Sequence, residues 1–416
     1  MSDKPIRADQ KSNAAVLPEG RLEGHSTASG AAATLYGLSP EQVEFQTRAR
    51  GVADSLVDLV RVSDRVVGYD QAWHDAIALL HTAGFFAMSV PAEFGGRGSD
   101  LMSLALAQEQ LSRVDGGLAN CVSHEACAAR AIENANPEIR QRCFDAMLAG
   151  SLTCIAITEP HSGSDLAAMT TSAQKAAGGY VINGAKSISS LAGVADIFLI
   201  WAKTDAGVGT KGISTFIASA SDAGITVGEP KDTLGFRQLP HHDVTFRNLE
   251  VAETARIGAE GEGMAIFAEA LNVGRLGGGA QALGIAAGAL ELARQFASQR
   301  ITFGKPINQH QAIQFKLADM FVAVEAGRLL LYSVARLMDG SDLHSRDVGT
   351  YAAMAKLYES DMAMRVTEDA VEIFGAQGIW KGNDVERLFR DAKVTQLVDG
   401  PNELMRMRIG HSLVRS

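Results

Sequence analysis

Two stretches hold the residue types best suited to chemistry. Cys154 to Asp165 reads CIAITEPHSGSD, and Asn183 to Ser190 reads NGAKSISS. The first is predicted as a strand, Leu152 to Thr158, stopped by Pro160 and opening into a loop of small residues. Such a loop lets backbone amides come close to a ligand, which suits a flat, polar cofactor. An ordinary strand and turn accounts for the same residues, and spacing alone leaves both readings open. Asn183-Gly184 is a tight-turn signal between two strand runs, so the second stretch reads as a hairpin.

The elements that must position these stretches change in kind along the chain. From Ser39 to about Gly150 the periodicity is helical, with segments at Tyr69 to Thr82, Asp100 to Arg113 and Pro137 to Leu148 and a loop at PAEFGGRGSD. Ser39 fits a helix cap and Pro40 its first turn. From Ser151 to about Gly258 the period shifts to strands, at Tyr180 to Ile182, Ile197 to Lys203, Ser214 to Ser219 and His242 to Phe246. Helices return near Met264, where Leu276, Leu283 and Leu290 repeat every seventh position with Ala280 and Ala287 between them, a buried stripe on a long helix ending near Arg300. The chain therefore divides into an N-terminal tail (1–37) expected to be disordered, a helical domain (38–150), a β-domain (151–263) and a second helical domain (264–416).

Composition excludes several classes. A chain of 416 residues, 46% hydrophobic, is large enough for a sizeable core in two or three domains. No uncharged apolar run approaches the roughly eighteen residues that span a membrane. The net charge of −10 provides no general basic field for nucleic acid. The 4 cysteines show no CxxC pair and no metal-ligand spacing, which implies buried free thiols in a reducing cytoplasm. Residues 1–37 mix Asp, Lys, Ser and Gly without period, and their acids argue against a transit peptide.

TEPxxGSD resembles the flavin and substrate signature of acyl-CoA dehydrogenases. Three further segments resemble that family in the expected order: RITFGKPINQHQ (Arg300 to Gln311), AVEIFGAQG (Ala370 to Gly378) and RLFRDAKVTQLVDGPNE (Arg387 to Glu403). The resemblance implies an α+β multidomain fold with an N-terminal helical domain, a middle β-barrel-like domain and a C-terminal four-helix bundle. It also implies FAD and an acyl-CoA substrate. A carboxylate takes the α-proton while the β-hydrogen leaves as hydride to the flavin.

By position, the resemblance makes Asp399 the base where the family usually has Glu, although an Asp-Gly-Pro turn explains the same residue structurally. An alternative base position on the long helix is occupied by Gly274. Arg275 and Asn272 match residues near the CoA arm, Ser164 one that contacts the thioester-linked arm, and Ser123 and His124, with Glu125, fall where fatty-acyl enzymes line the tail pocket. Ile157, Thr158, Gly163, Ser164, Ile188 and Ser190 are the implied flavin contacts within one subunit. Arg300, Phe303 and Gln311 match residues that reach the FAD of a neighbouring subunit, so a homotetramer or dimer is implied. Glu372, Gly375 and Gly378 match a QxxGGxG segment in which Glu replaces Gln, an unfavourable charge near a diphosphate unless it points toward an Arg or the ribose. Pro401 and Glu403 match the adenosine end.

The chain departs from the family most beside the ring. Ile188 and Val398 stand where aromatics are common, and Ser190 replaces a threonine that bonds the ring's reactive nitrogen. The flavin surroundings look widened, which keeps two other readings open: an oxidase or monooxygenase using dioxygen in place of an electron-transferring flavoprotein, and an FAD-binding pseudoenzyme. A polar or cyclic acyl group is the sharper substrate reading, and His161 has no assigned role.

Overall fold

The computed structural model describes residues 34–414. Among the described residues, five complete helices precede the sheet: α1 (Pro40–Ser63), α2 (Gln71–Thr82), α3 (Leu101–Ser112), α4 (Gly116–Ile132) and α5 (Pro137–Leu148). Each starts at a polar cap. Ser39 and Gln42 form a reciprocal capping box ahead of Pro40, and Asp70, Asp100, Asp115 and Asn136 accept backbone N–H groups at the starts of the others. The tail expectation needs correcting at its end. Tyr36 is buried, its hydroxyl donates to Glu325, and its ring meets Tyr332 edge-on at 5.8 Å. The rest of that expectation, 1–33, lies outside the described residues.

The middle of the chain is a sheet. Its strands are β1 (Thr153–Ala156), β2 (Ser172–Ala176), β3 (Gly179–Ser190), β4 (Ile197–Lys203), β5 (Ile213–Ser219), β6 (Ile225–Val227), β7 (His241–Ala252) and β8 (Arg256–Ile257). They are ordered β6-β7-β3-β2-β4-β5-β8, with β1 added in parallel to β4. Phe198, Ile200, Phe216 and Phe246 fill its interior. The hairpin expected at Asn183-Gly184 is absent. Those residues lie inside β3, which runs unbroken against β7 with register shifts at Ile182/Gly184 and Lys186/Ser189. Asn183 Oδ1 instead accepts the N–H of Asn248, itself at φ +49°, so the pair builds a bulge rather than a turn.

The C-terminal helices are α6 (Gly263–Gln299), α7 (Gln311–Asp339), α8 (Arg346–Phe374), α9 (Asp384–Thr395) and α10 (Asn402–Val414), with the small hairpin β9 (Ile301–Thr302) and β10 (Lys305–Pro306) between α6 and α7. Helix α6 is buried on nearly every side from Ile266 to Leu290. Its small residues make that possible: a Cβ at Gly284 or Gly288 would collide with the Glu109 or Arg113 carbonyl of α3 and the residue after it. No helix among the described residues is long and apolar enough to cross a membrane.

Candidate active site

Asp399 sits between α9 and α10 at φ +54°, followed by Gly400 at φ +94°. Short polar Asp tolerates this left-handed conformation better than most residues. The turn aims its carboxylate at α6. A Cβ at Gly274 would stand 3.1 Å from Asp399 Oδ1 and 3.1 Å from Cys127 Sγ, and one at Gly278 would stand 3.4 Å from Oδ2. Glycines four apart share one helical face, so Gly274 and Gly278 form the floor on which the carboxylate rests. The alternative base position on the helix, Gly274, is thus adjacent to the Asp399 carboxylate carried by the loop. Ser123 packs on the same strip, against Gly277.

Burial raises the Asp399 carboxyl above its ordinary range, and Lys356 and Arg275 pull it part of the way back. Lys356, on α8 and fully buried, donates to Gly400 O at 2.9 Å and to Asn402 Oδ1 at 2.8 Å. Burial lowers it to about 8 against the attraction of Asp399. Arg275 Nε donates to Asp399 O at 3.4 Å and Nη1 to Asn272 Oδ1 at 3.1 Å, while Asn272 Nδ2 donates to Leu343 O at 2.9 Å. Burial, with Arg408, brings Arg275 down to about 10, still cationic. In the structure, then, Arg275 and Asn272 brace the Asp399 loop. A cleft lined by Leu104, Ala126, Arg130, Val273, Asp339 and Leu343 opens beside them.

His124 and Glu125 do different work from that implied by the resemblance. His124 Nε2 bonds Thr153 O at 3.2 Å, and Glu125 Oε1 accepts from Thr153 N at 2.8 Å and its hydroxyl at 3.1 Å. Among the described residues strand β1 pairs only with β4, and its other edge needs partners. These side chains supply them, which commits His124 to the sheet.

The flavin-type loop follows β1. Burial opposes ionising Glu159, but donors from Thr171 and Thr170, together with Lys186, outweigh it and hold the carboxyl at about 2. Its oxygens accept Thr170 N and Thr171 N, each at 2.8 Å. Fully buried Lys186 donates to Glu159 Oε1 and to Ile157 O, both at 3.0 Å. Burial lowers Lys186 to about 8, so both partners are charged at neutral pH. Ser187 N–H adds a bond to Thr158 O at 2.8 Å. His161 is mostly exposed, 3.5 Å from Glu159 Oε2.

Ile188 lies in the second register shift of β3 at φ +55°, a genuine outlier for a β-branched residue. It is 50% exposed. Gly163 and Ser164 are exposed on the facing loop, and only Thr158 Cγ2, at 3.9 Å, would meet a Cβ at Gly163. An open apolar floor beside backbone and hydroxyl groups fits the flat ring of FAD, and Ile157, Thr158, Gly163, Ser164, Ile188 and Ser190 are the residues that could hold it. Behind this floor Ser190 Oγ lies 3.1 Å from His241 Nδ1.

Six of the remaining cofactor candidates lie toward the far end of the C-terminal helices, where Phe296 of α6 stacks on Phe374 of α8 at 4.2 Å. Arg300 and Gln311 are exposed, and Phe303 is 96% exposed at φ +49° on the β9-β10 turn. Glu372 points to Lys316 at 2.7 Å and shares that cation with Asp369, so the charge that Glu brings in place of Gln is only partly offset. Gly375, at φ +61°, caps α8, and Gly378 is buried behind it. Pro401 and Glu403 open α10 beside Asp399. Sequence reasoning missed Lys356, Glu159 and His241 as working parts. The signal for Lys356 was available: a lysine among alanines, on the apolar face of a helix, in YAAMAKLYES.

Matches to known families follow the same division of elements. Residues 39–151, 154–249 and 261–414 match the models described as acyl-CoA dehydrogenase N-terminal, middle and C-terminal domain. An acyl-CoA dehydrogenase of Bacillus subtilis is 41% identical, covering 91% of this chain and 99% of its own length. A cyclohex-1-ene-1-carbonyl-CoA dehydrogenase of Geobacter metallireducens is 40% identical over 81% of this chain and 88% of its own. The structure of butyryl-CoA dehydrogenase from Megasphaera elsdenii superposes with a TM-score of 0.85 at 34% identity, covering 91% of this chain and 99% of that one. With all three domains present in order around one carboxylate and one flavin-type loop, the chain belongs to the acyl-CoA dehydrogenase family, FAD-dependent oxidoreductases acting on acyl-CoA thioesters.

Proposed function

We propose that this chain dehydrogenates a cyclic or branched acyl-CoA between its α and β carbons, with Asp399 as the base. The observation that carries the proposal is the Asp399 carboxylate resting on the Gly274–Gly278 face with two cations, Lys356 and Arg275, close by. Asp399 takes the α-proton, the β-hydrogen leaves with its electron pair, and the carbon–carbon double bond forms. FAD, when bound, supplies the hydride acceptor. The Asp399 N–H donates to no group among the described residues, which leaves it free to polarise the thioester carbonyl as enolate charge develops. The thioester arm enters by the cleft at Ala126 and Val273.

Two features support a bulky acyl group. Ile188 and Val398 stand where relatives often carry aromatics beside the ring. A relative of 40% identity carries a cyclohexene-carbonyl name. The relatives favour dehydrogenation over the oxygen-using and inactive alternatives. We further propose an electron-transferring flavoprotein as acceptor, a homo-oligomer formed through the exposed Ile301, Phe303, Ile379 and Trp380, and a reducing cytoplasmic setting consistent with four buried, unpaired thiols.

The test is anaerobic mixing of purified enzyme with a panel of acyl-CoAs. Cyclic thioesters should bleach the flavin faster than straight chains of equal carbon number, and Asp399→Asn should lower that rate by about 10² to 10⁴ while still binding thioester. Unchanged bleaching in Asp399→Asn overturns the base assignment, and a straight-chain preference overturns the substrate class.

A further inference from the structure

Ser190 and His241 are directly opposed residues of β3 and β7, so their side chains share one face of the sheet. Ser190 Oγ lies 3.1 Å from His241 Nδ1, and no other hydrogen bond to the imidazole occurs among the described residues. The surroundings are tightly held. Leu191 N–H donates to Pro240 O at 2.9 Å. Trp73 Nε1 donates to Gln238 O at 2.9 Å, and His242 bonds the Tyr69 hydroxyl at 2.9 Å and Gly228 O at 2.8 Å. His241 itself is 7% exposed. It is neither a loose surface group nor a core histidine with both nitrogens satisfied.

Burial, with His124 and His242 nearby, lowers His241 to about 4, so the ring is neutral at neutral pH. A neutral imidazole carries one donor and one acceptor nitrogen. With hydrogen on Nδ1 it donates to Ser190 Oγ and leaves the hydroxyl proton for another acceptor. With hydrogen on Nε2, Nδ1 accepts the hydroxyl's hydrogen bond, and Ser190 Oγ can then accept one from another donor. The two states differ in which ring nitrogen holds the proton, so the pair neither gains nor loses one.

We propose that His241 is a positioning residue for Ser190, and that its two tautomers let the serine donate a hydrogen bond to the flavin edge when the ring nitrogen there is an acceptor and accept one when that nitrogen carries hydrogen. The inference rests on the reading that places Ser190 at the flavin edge, and it goes beyond that reading by assigning a partner behind the hydroxyl.

The experiment uses the full FAD-loaded chain and four variants: Ser190→Ala, His241→Leu, His241→Asn and the Ser190→Ala/His241→Leu double. Asn keeps a polar group at the Nδ1 position, and Leu fills the space without one. Two readouts are taken: the shape of the resting flavin's visible absorption band, and the anaerobic reduction rate at saturating acyl-CoA separated from KM. His241→Leu is expected to change the band and slow reduction by about 3- to 10-fold, the scale of one lost hydrogen bond, with KM unchanged. His241→Asn should recover most of the loss, and His241→Leu should add nothing once Ser190 is alanine. Equal behaviour of the Leu and Asn variants, or independent multiplication of the two losses in the double, overturns the proposal while leaving Ser190 at the flavin edge. An unchanged band and rate in Ser190→Ala overturns both that placement and the proposal. If His241→Leu does not fold, His241→Gln, which moves the amide to the Nε2 position, takes its place with the same expected slowing.

Discussion

Lys186 and Lys356 are both fully buried, both lowered to about 8 by burial, and both grip the loop that carries half of the site. Their partners set them apart. Lys186 is matched by the Glu159 carboxylate at 3.0 Å and also ties down Ile157 O, so its charge is neutralised where it sits. Among the described residues the Lys356 ammonium bonds only a carbonyl and an amide oxygen, Gly400 O and Asn402 Oδ1, and its charge acts on the carboxylate one residue along, Asp399. The same residue type is therefore a structural bolt in the sheet and an electrostatic control in the helical domain. Whether a buried cation is paired at its own end decides which role it takes.

The sharpest way to break this comparison is Lys186→Met. Removing one member of a buried ion pair leaves the other uncompensated and typically costs about 3–5 kcal/mol. Denaturant unfolding should show a loss of that size, with much less FAD retained. Lys186→Met/Glu159→Gln should recover a large part of it, because no buried charge is then left alone. A single variant that unfolds within about 1 kcal/mol of wild type would sink the bolt reading.

For Lys356 the prediction concerns pH rather than stability. A nearby cation favours the ionised carboxylate and so lowers its pKa. Removing the cation must raise the pKa of Asp399, which burial already holds above its ordinary range. As the proposed base, Asp399 must be ionised for activity, so the acid limb of the rate profile should move to higher pH in Lys356→Gln. Below the limb, each unit of upward movement lowers the rate about tenfold. Gln keeps an N–H for Gly400 O, so the plateau above the limb should fall only several-fold. An unmoved limb in the flavin-reduction profile would show that Lys356 acts through position alone.

How far these roles could be read from the chain differs between the two loops. TEPHSGSD and the Asp399 segment are contiguous motifs, and the helix–sheet–helix order follows from the change of period near Ser151 and Met264. Ile197–Lys203 and Pro137–Leu148 fall where periodicity places them. What stayed hidden depends on pairing across distance. Asn183-Gly184 carries a turn signal, but the long β3–β7 ladder overrides local preference and turns it into a bulge. Ser190 meets His241 from 51 positions away, and Lys356 reaches Gly400 from 44. No spacing rule along the chain links such residues. Strained backbone was hidden as well: Ile188, Phe303 and Asp399 all adopt positive φ at candidate site positions, and functional sites tend to store strain.

The smallest predicted effect is also the one that best separates geometry from stability around Asp399. Glycine inside a helix is less stable than alanine by roughly 0.5–1 kcal/mol, so Gly274→Ala and Gly278→Ala in α6 should both gain from local propensity. Their surroundings differ. At Gly278 the new Cβ would meet Asp399 Oδ2 at 3.4 Å, an ordinary contact, whereas at Gly274 it would meet both Asp399 Oδ1 and Cys127 Sγ at 3.1 Å, and one of them must move by a few tenths of an ångström. Cys127 is fixed within α4, so the carboxylate on its short loop is the partner that yields. A displacement of about 1 Å at a reacting group can lower the rate about a hundredfold, and a few tenths should lower it several-fold. Gly278→Ala is therefore expected to raise the unfolding midpoint with flavin reduction unchanged. Gly274→Ala should show no gain in midpoint and reduce the flavin several-fold more slowly at unchanged FAD content. If both alanines leave the rate untouched, the carboxylate does not work from the floor these glycines form, and the assignment of Asp399 as base loses its geometric support.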